Sequence, residues 1–189
     1  MSGVSANGKF RVAIVGCGRI ANAHVQAVLA CESADLVALV DPVVERAAAL
    51  AQKFGARAEA VTSLDTVPDR IDGAVIATPN HLHADAAVRC INAGVAVLIE
   101  KPMANTIADG TLIRDAAERA GVTVAVGYVT RFNESNQLMT ELLRRETFGR
   151  VRRFVYQFGT RGGWAPLSGY NLDRSTAGGG VLVVTGTHF

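Results

Sequence analysis

The chain has 189 residues, enough for one full domain of about 100–200 residues and part of a second. Apolar residues make up 49% of it, so a sizeable core is feasible, and a net charge of +2 lacks the basic surplus that nucleic-acid binding needs. Three cysteines without metal spacing, a polar N-terminus unlike a signal peptide, and no apolar run near the roughly 18 residues that cross a bilayer predict a soluble, cytoplasmic protein with reduced thiols.

Residues 1–9 read as a flexible lead-in. Phe10–Val15, apolar but for Arg11, reads as a buried strand, and Ile20–Cys31 reads as a helix. Leu36–Val40 is a second strand, followed by a helix over Val43–Phe54 that Gly55 closes. A short strand near Ala58–Val61 precedes another at Gly73–Ala77. His81–Ala93 is a helix stopped by Gly94, and Val95–Ile99 a strand. Thr106–Ala120 is a helix capped by Asn105 or Thr106, and Val122–Val126 a sixth strand. Such continuous apolar strands, alternating with helices, are buried on both faces. They predict an α/β fold with a doubly wound parallel sheet over residues 10–127.

The pattern changes after Gly127. Glu134–Arg145 reads as a long helix. Arg150–Gly159 reads as a half-buried strand, with Phe154, Tyr156 and Phe158 on one face. Arg144, Arg145, Arg150, Arg152 and Arg153 read as a solvated helix end and strand face. A strand with so few partners cannot stand alone, so residues 128–189 are expected to be the start of a second α+β domain, cut short.

Four segments carry chemistry. Gly16-Cys17-Gly18-Arg19-Ile20-Ala21 follows a strand and opens a helix, the G-x-G-x-x-A arrangement of dinucleotide-binding turns. Gly16 permits the tight turn, Gly18 lets backbone approach a pyrophosphate, and Ala21 is small enough for helix–strand packing. The helix N-terminus offers N–H groups and a positive dipole end. Asp41 ends the second strand twenty residues after Ala21, where an acid accepts from ribose hydroxyls and repels a 2′-phosphate. It predicts NAD over NADP, and a helix-capping role for the same side chain is compatible. Thr78-Pro79-Asn80-His81-Leu82-His83 follows a strand's carboxyl end, with Asn80 also suited to cap a helix. His81 and His83 point apart at i,i+2 and make no metal pair. His24, inside the first helix, reads as a polar surface residue. Glu100-Lys101-Pro102 follows the next strand. There Lys101 can polarise a substrate oxygen, a partly desolvated lysine having a lowered pKa. Pro102 holds Lys101 extended and is a candidate for a cis bond.

Together with Gly178-Gly179-Gly180-Val181-Leu182, these segments resemble the Gfo/Idh/MocA oxidoreductases, from about Phe10 to Phe189. The resemblance implies an NAD(P)-dependent dehydrogenase moving a hydride between nicotinamide and a hydroxyl-bearing carbon of a sugar, sugar derivative or cyclitol. It implies Lys101 as the residue that polarises the reacting hydroxyl and His188 as proton acceptor. Glu100 would lie by the nicotinamide ribose, with Thr78, Pro79, Asn80 and His83 lining the cofactor channel and Arg131 near the domain junction. Many members carry an Asp one helical turn before the His; here that position is Val184, with Thr185 and Thr187 as nearby substitutes. The family's second domain walls the substrate site and commonly builds a homo-oligomer. The competing expectation is an impaired or inactive NAD-binding protein of the same fold, a truncated product or a cofactor-sensing regulator. No metal is expected.

Overall fold

The computed structural model describes residues 8–67, 70–157 and 169–188. Six parallel strands form one sheet: β1 (Phe10–Val15), β2 (Ala34–Val40), β3 (Glu59–Val61), β4 (Gly73–Ile76), β5 (Ala96–Ile99) and β6 (Val124–Val126). Their spatial order is β3-β2-β1-β4-β5-β6, so the winding reverses between β1 and β4. Ligands of doubly wound sheets bind in the crevice outside the strands' carboxyl ends at that reversal.

The helices explain why the strands are apolar throughout. α1 (Ala21–Leu29) and α2 (Val44–Phe54) cover one face, burying Ala21, Val25, Ala47 and Leu50 against Val12, Ile14, Leu39 and Val75. α3 (His83–Asn92) and α4 (Ile107–Ala120) cover the other, placing Ala87, Cys90, Ile91, Ile113 and Ala116 on Ala13, Val15, Ile76 and Ile99. Ile14, Leu39, Ile76, Ile91, Ile99 and Ile113 are fully buried. Each contributes about 1.5–3 kcal/mol of burial. α2 ends where Gly55 turns left-handed at φ 61°, as its position predicts. α4 is capped by Thr106, whose hydroxyl accepts from the Asp109 amide. Asn105 does not cap it and is used elsewhere.

Beyond β6 the chain makes a 3₁₀ turn (Val129–Phe132) and α5 (Glu134–Arg144), then α6 (Arg174–Ala177), α7 (Gly180–Val184) and a 3₁₀ turn at Gly186–His188. The strand expected over 150–159 does not form: residues 151–157 have no strand structure, and Phe158 and Gly159 lie outside the described residues. Phe154, Val155 and Tyr156 are exposed. Alternation marks residues able to line a sheet, but a strand exists only when another backbone supplies its hydrogen bonds.

Candidate dinucleotide and active site

The turn after β1 sits against the end of β4. Gly16 has φ 95°, and a Cβ there would stand 2.7 Å from the backbone of Ala77 and Thr78. Only glycine allows that approach. At Gly18 a Cβ would meet nothing within 4 Å, so the mouth of α1 is open. Ile20, the helix N-cap, makes no side-chain cap bond, and Arg19 and Ile20 are exposed beside it. Ala21 is buried under the sheet. An uncapped helix start with open space before it is a place for an anion.

Asp41 is 5% exposed at the end of β2. Its Oδ2 accepts the Cys17 amide at 3.0 Å and its Oδ1 the Val43 amide at 2.9 Å. The acid thus braces the glycine turn and the entry to α2 together, while Val43 occupies the N-cap itself. Arg46 Nη1 approaches Asp41 to 4.0 Å.

The segment after β4 has a different structure from the one its sequence suggests. His83 is 1% exposed, and its ring spans two backbone carbonyls, Nδ1 to Pro102 at 2.8 Å and Nε2 to Thr78 at 2.9 Å. It clamps the turns after β4 and β5 to each other. Burial lowers its pKa, against the pull of both carbonyls. Asn80 caps no helix. It is buried, and its amide donates to Asn105 Oδ1 at 2.9 Å and to the Ala177 carbonyl at 3.1 Å. Asn105 in turn donates to the Thr176 carbonyl at 2.9 Å, and α6 is held to the sheet domain by this pair. Pro79 leads into that turn. The Thr78 hydroxyl is buried without a hydrogen-bond partner among the described residues.

The Lys101–Pro102 peptide is cis. Glu100 is anchored by its amide to Ile76 O at 2.9 Å. Its Oε1 lies 2.8 Å from His24 Nε2, and its Oε2 accepts the Lys101 amide at 3.1 Å. Burial pushes the Glu100 pKa up, but the His24 bond and charge and the Lys101 amide outweigh it, and the carboxyl titrates below its ordinary value. Burial lowers the Lys101 pKa, with Glu100 acting in the opposite sense.

His188 reaches this group from the far end of the chain. Its carbonyl accepts the Thr130 hydroxyl at 2.9 Å, and its ring meets Tyr128 edge-on at 6.5 Å. Burial and the Lys101 charge lower its pKa, while Glu100 raises it. The Thr187 hydroxyl donates to the Val183 carbonyl at 3.0 Å, so that group serves the helix. Arg131 is exposed on the Val129–Phe132 turn, and His81 is exposed too.

His24 is the residue that sequence reasoning missed. Its signal was its spacing: with Ala21 and Val25 it falls on the buried stripe of α1, which a surface histidine would avoid.

Residues 10–128 match the family model for the GFO_IDH_MocA oxidoreductases, described as an oxidoreductase family with an NAD-binding Rossmann fold. The chain belongs to the Gfo/Idh/MocA family. Among its relatives, 4-carboxy-2-hydroxymuconate-6-semialdehyde dehydrogenase of a Sphingobium species is 30% identical over 128 residues, 67% of this chain and 41% of that one. The 1,5-anhydro-D-fructose reductase of Ensifer adhaerens is 30% identical over 183 residues, 94% of this chain and 54% of its own. The WlbA dehydrogenase of Bordetella pertussis, solved with NADH and UDP-GlcNAcA, superposes with a TM-score of 0.69 at 35% identity, covering 75% of this chain and 41% of that structure. The chain spans about half the length of the curated relatives it matches. Among the described residues no three His, Cys, Asp or Glu side chains group to hold a metal, and no helix is long and apolar enough to cross a membrane.

Proposed function

We propose that this chain carries the NAD site and the proton-handling residues of a dehydrogenase acting on a sugar, sugar derivative or cyclitol. One observation carries the reading: the open α1 mouth, Asp41, the orphaned Thr78 hydroxyl and Glu100–Lys101 all lie at the carboxyl ends of β1, β2, β4 and β5, around the reversal of the sheet. The residues fit a dinucleotide. The amides at Gly18–Ala21 would face its pyrophosphate, Asp41 its adenosine ribose and the Thr78 hydroxyl a polar group farther along. A bound nicotinamide supplies the hydride acceptor or donor.

The remaining chemistry is the chain's own. Lys101, with its amine partly desolvated, donates a hydrogen bond to the reacting oxygen and polarises it. His188, with its pKa lowered, is neutral at physiological pH and accepts the hydroxyl proton. Asp41 favours NAD, because its charge opposes a 2′-phosphate. Glu100, Arg19, Ile20, Pro79, Asn80 and His83 belong to the same reading as the walls and supports of the cofactor channel. The exposed apolar side chains of Phe132, Leu138, Met139, Leu143 and Phe148 support a homo-oligomer in the complete assembly.

Calorimetry with NAD and NADP, followed by an absorbance assay for reduced cofactor across sugars and cyclitols, tests the proposal. Tighter binding of NAD with turnover supports it. Binding without turnover leaves the inactive NAD-binding alternative, and no binding of either dinucleotide overturns both.

A further inference from the structure

The His24–Glu100 pair joins two parts of the fold that do different work. His24 stands on α1, the helix whose N-terminus faces the open mouth at Gly18. Glu100 begins the loop that bears Lys101. The two residues are 76 positions apart in sequence and meet at 2.8 Å, with side chains 15% and 13% exposed. An ionised carboxylate only accepts, so the His24 Nε2 carries the hydrogen of this bond.

Both carboxylate oxygens of Glu100 are engaged. One oxygen takes the His24 ring and the other takes the Lys101 amide at 3.1 Å. Beside it lies Gly127, just after β6, where a Cβ would come to 3.5 Å from the carboxylate. Two of the bodies that fix this charge are therefore the glycine-turn helix and the lysine's own backbone. A carboxylate fixed next to an amine decides how readily that amine gives up its proton.

We propose that His24 is a positioning residue for Lys101: it pins the Glu100 carboxylate to α1 and so sets how much of that negative charge the Lys101 amine feels. The role matters to catalysis only through the dehydrogenase reading of Lys101, but the tether itself is a statement about this chain's own residues. Without His24, Glu100 keeps its bond to the Lys101 amide and loses the donor that shares its charge. Lys101 then holds its proton more tightly, and the oxygen-polarising group changes character without leaving the site. A glutamine at position 24 places an N–H donor at the reach of Nε2 and preserves the arrangement.

The experiment follows Lys101 directly. Wild-type protein, His24→Leu, His24→Gln and Glu100→Gln are pulse-labelled with acetic anhydride across a pH series, and acetylation of Lys101 is read by peptide mass spectrometry. NAD binding by calorimetry and circular dichroism run alongside. The labelling midpoint of Lys101 is expected to rise by about half a pH unit or more in His24→Leu, to stay at the wild-type position in His24→Gln, and to fall in Glu100→Gln. A midpoint unchanged in folded His24→Leu overturns the proposal, as does His24→Gln moving as far as His24→Leu. If His24→Leu fails to fold, Glu100→Gln decides: a midpoint that does not fall overturns it. Absence of NAD binding in the wild type together with the expected shifts sinks the dehydrogenase reading and leaves the tether standing.

Discussion

The Asp41 carboxylate stands 3.0 Å from the Cys17 amide, spanning the gap between the end of β2 and the glycine turn after β1. One acid thereby shapes the glycine turn, and in the proposed reading it would also offer its charge to the adenosine ribose. Replacing it with alanine removes both effects. Asp41→Ala is expected to weaken NAD about tenfold, some 1.4 kcal/mol, and NADP much less. It also loses two backbone hydrogen bonds to a charged acceptor, so the melting transition falls by the equivalent of about 1–3 kcal/mol. Calorimetry with both cofactors checks the first part; equal losses would remove the ribose role.

The two glycines of the turn should respond differently. Gly16→Ala places a Cβ 2.7 Å from backbone that cannot move aside, at a φ of 95°. A large loss of stability is expected in thermal melts. Gly18→Ala meets nothing within 4 Å, so the fold should persist while NAD binding drops, because the methyl occupies the open mouth of α1. A Gly18→Ala protein that binds NAD normally would place the pyrophosphate elsewhere.

Lys101→Met has a signature in stability as well as in turnover. The folded pKa of Lys101 lies below its ordinary 10.5, chiefly through burial. Folding therefore disfavours the protonated amine. The penalty is full below the folded value, shrinks as pH rises towards 10.5, and vanishes above it. Denaturant titrations should show wild-type stability gaining on Lys101→Met as pH rises from the folded pKa towards 10.5, with a constant difference below that interval. Cofactor binding should survive and turnover should vanish; an unaffected rate would take Lys101 out of the mechanism.

His83 gives the matching prediction in acid. A neutral ring has one N–H, and here two carbonyls face it. Protonation would satisfy both, but burial dominates and lowers the pKa from 6.5. The unfolded chain takes up the proton first, so stability is complete above pH 6.5 and declines as pH falls from there to the folded value. Urea midpoints of wild type and His83→Phe should separate in slope across that interval. Parallel curves would show that His83 carries no such linkage.

Asn105→Ala should loosen the far segment without touching the sheet. Asn105 and Asn80 bond the carbonyls of Thr176 and Ala177. Hydrogen exchange is expected to speed up at least tenfold across residues 174–188 and to stay unchanged in β1, β4 and β5, about 1.4 kcal/mol of local protection. Uniform protection in the variant would mean that other contacts hold the segment.

The parallel sheet was legible because its signals are local. Leu36–Val40 and Val97–Ile99 are apolar throughout, and each is followed by a helix whose stop or start is written in one residue, Gly55 or Thr106. The glycine turn and Asp41 were legible for the same reason, since a strand-to-helix turn and an acid at the next strand's end need only short spacings. Residues 150–159 misled because alternation is also local, whereas the partner strand that would make it a strand is not.

What the amino-acid order determined by itself is the element sequence of the sheet domain and the family's motif residues, Lys101 and His188 among them. What only the tertiary structure decided is which of those side chains meet. His24 joined Glu100, His83 turned inward to hold two loops, and Asn80 with Asn105 reached for the Ala177 segment. The physical reason is range. Propensity, capping and periodicity act over a few residues, but a hydrogen bond between positions 76 apart exists only after β1 and β5 have been brought into one sheet.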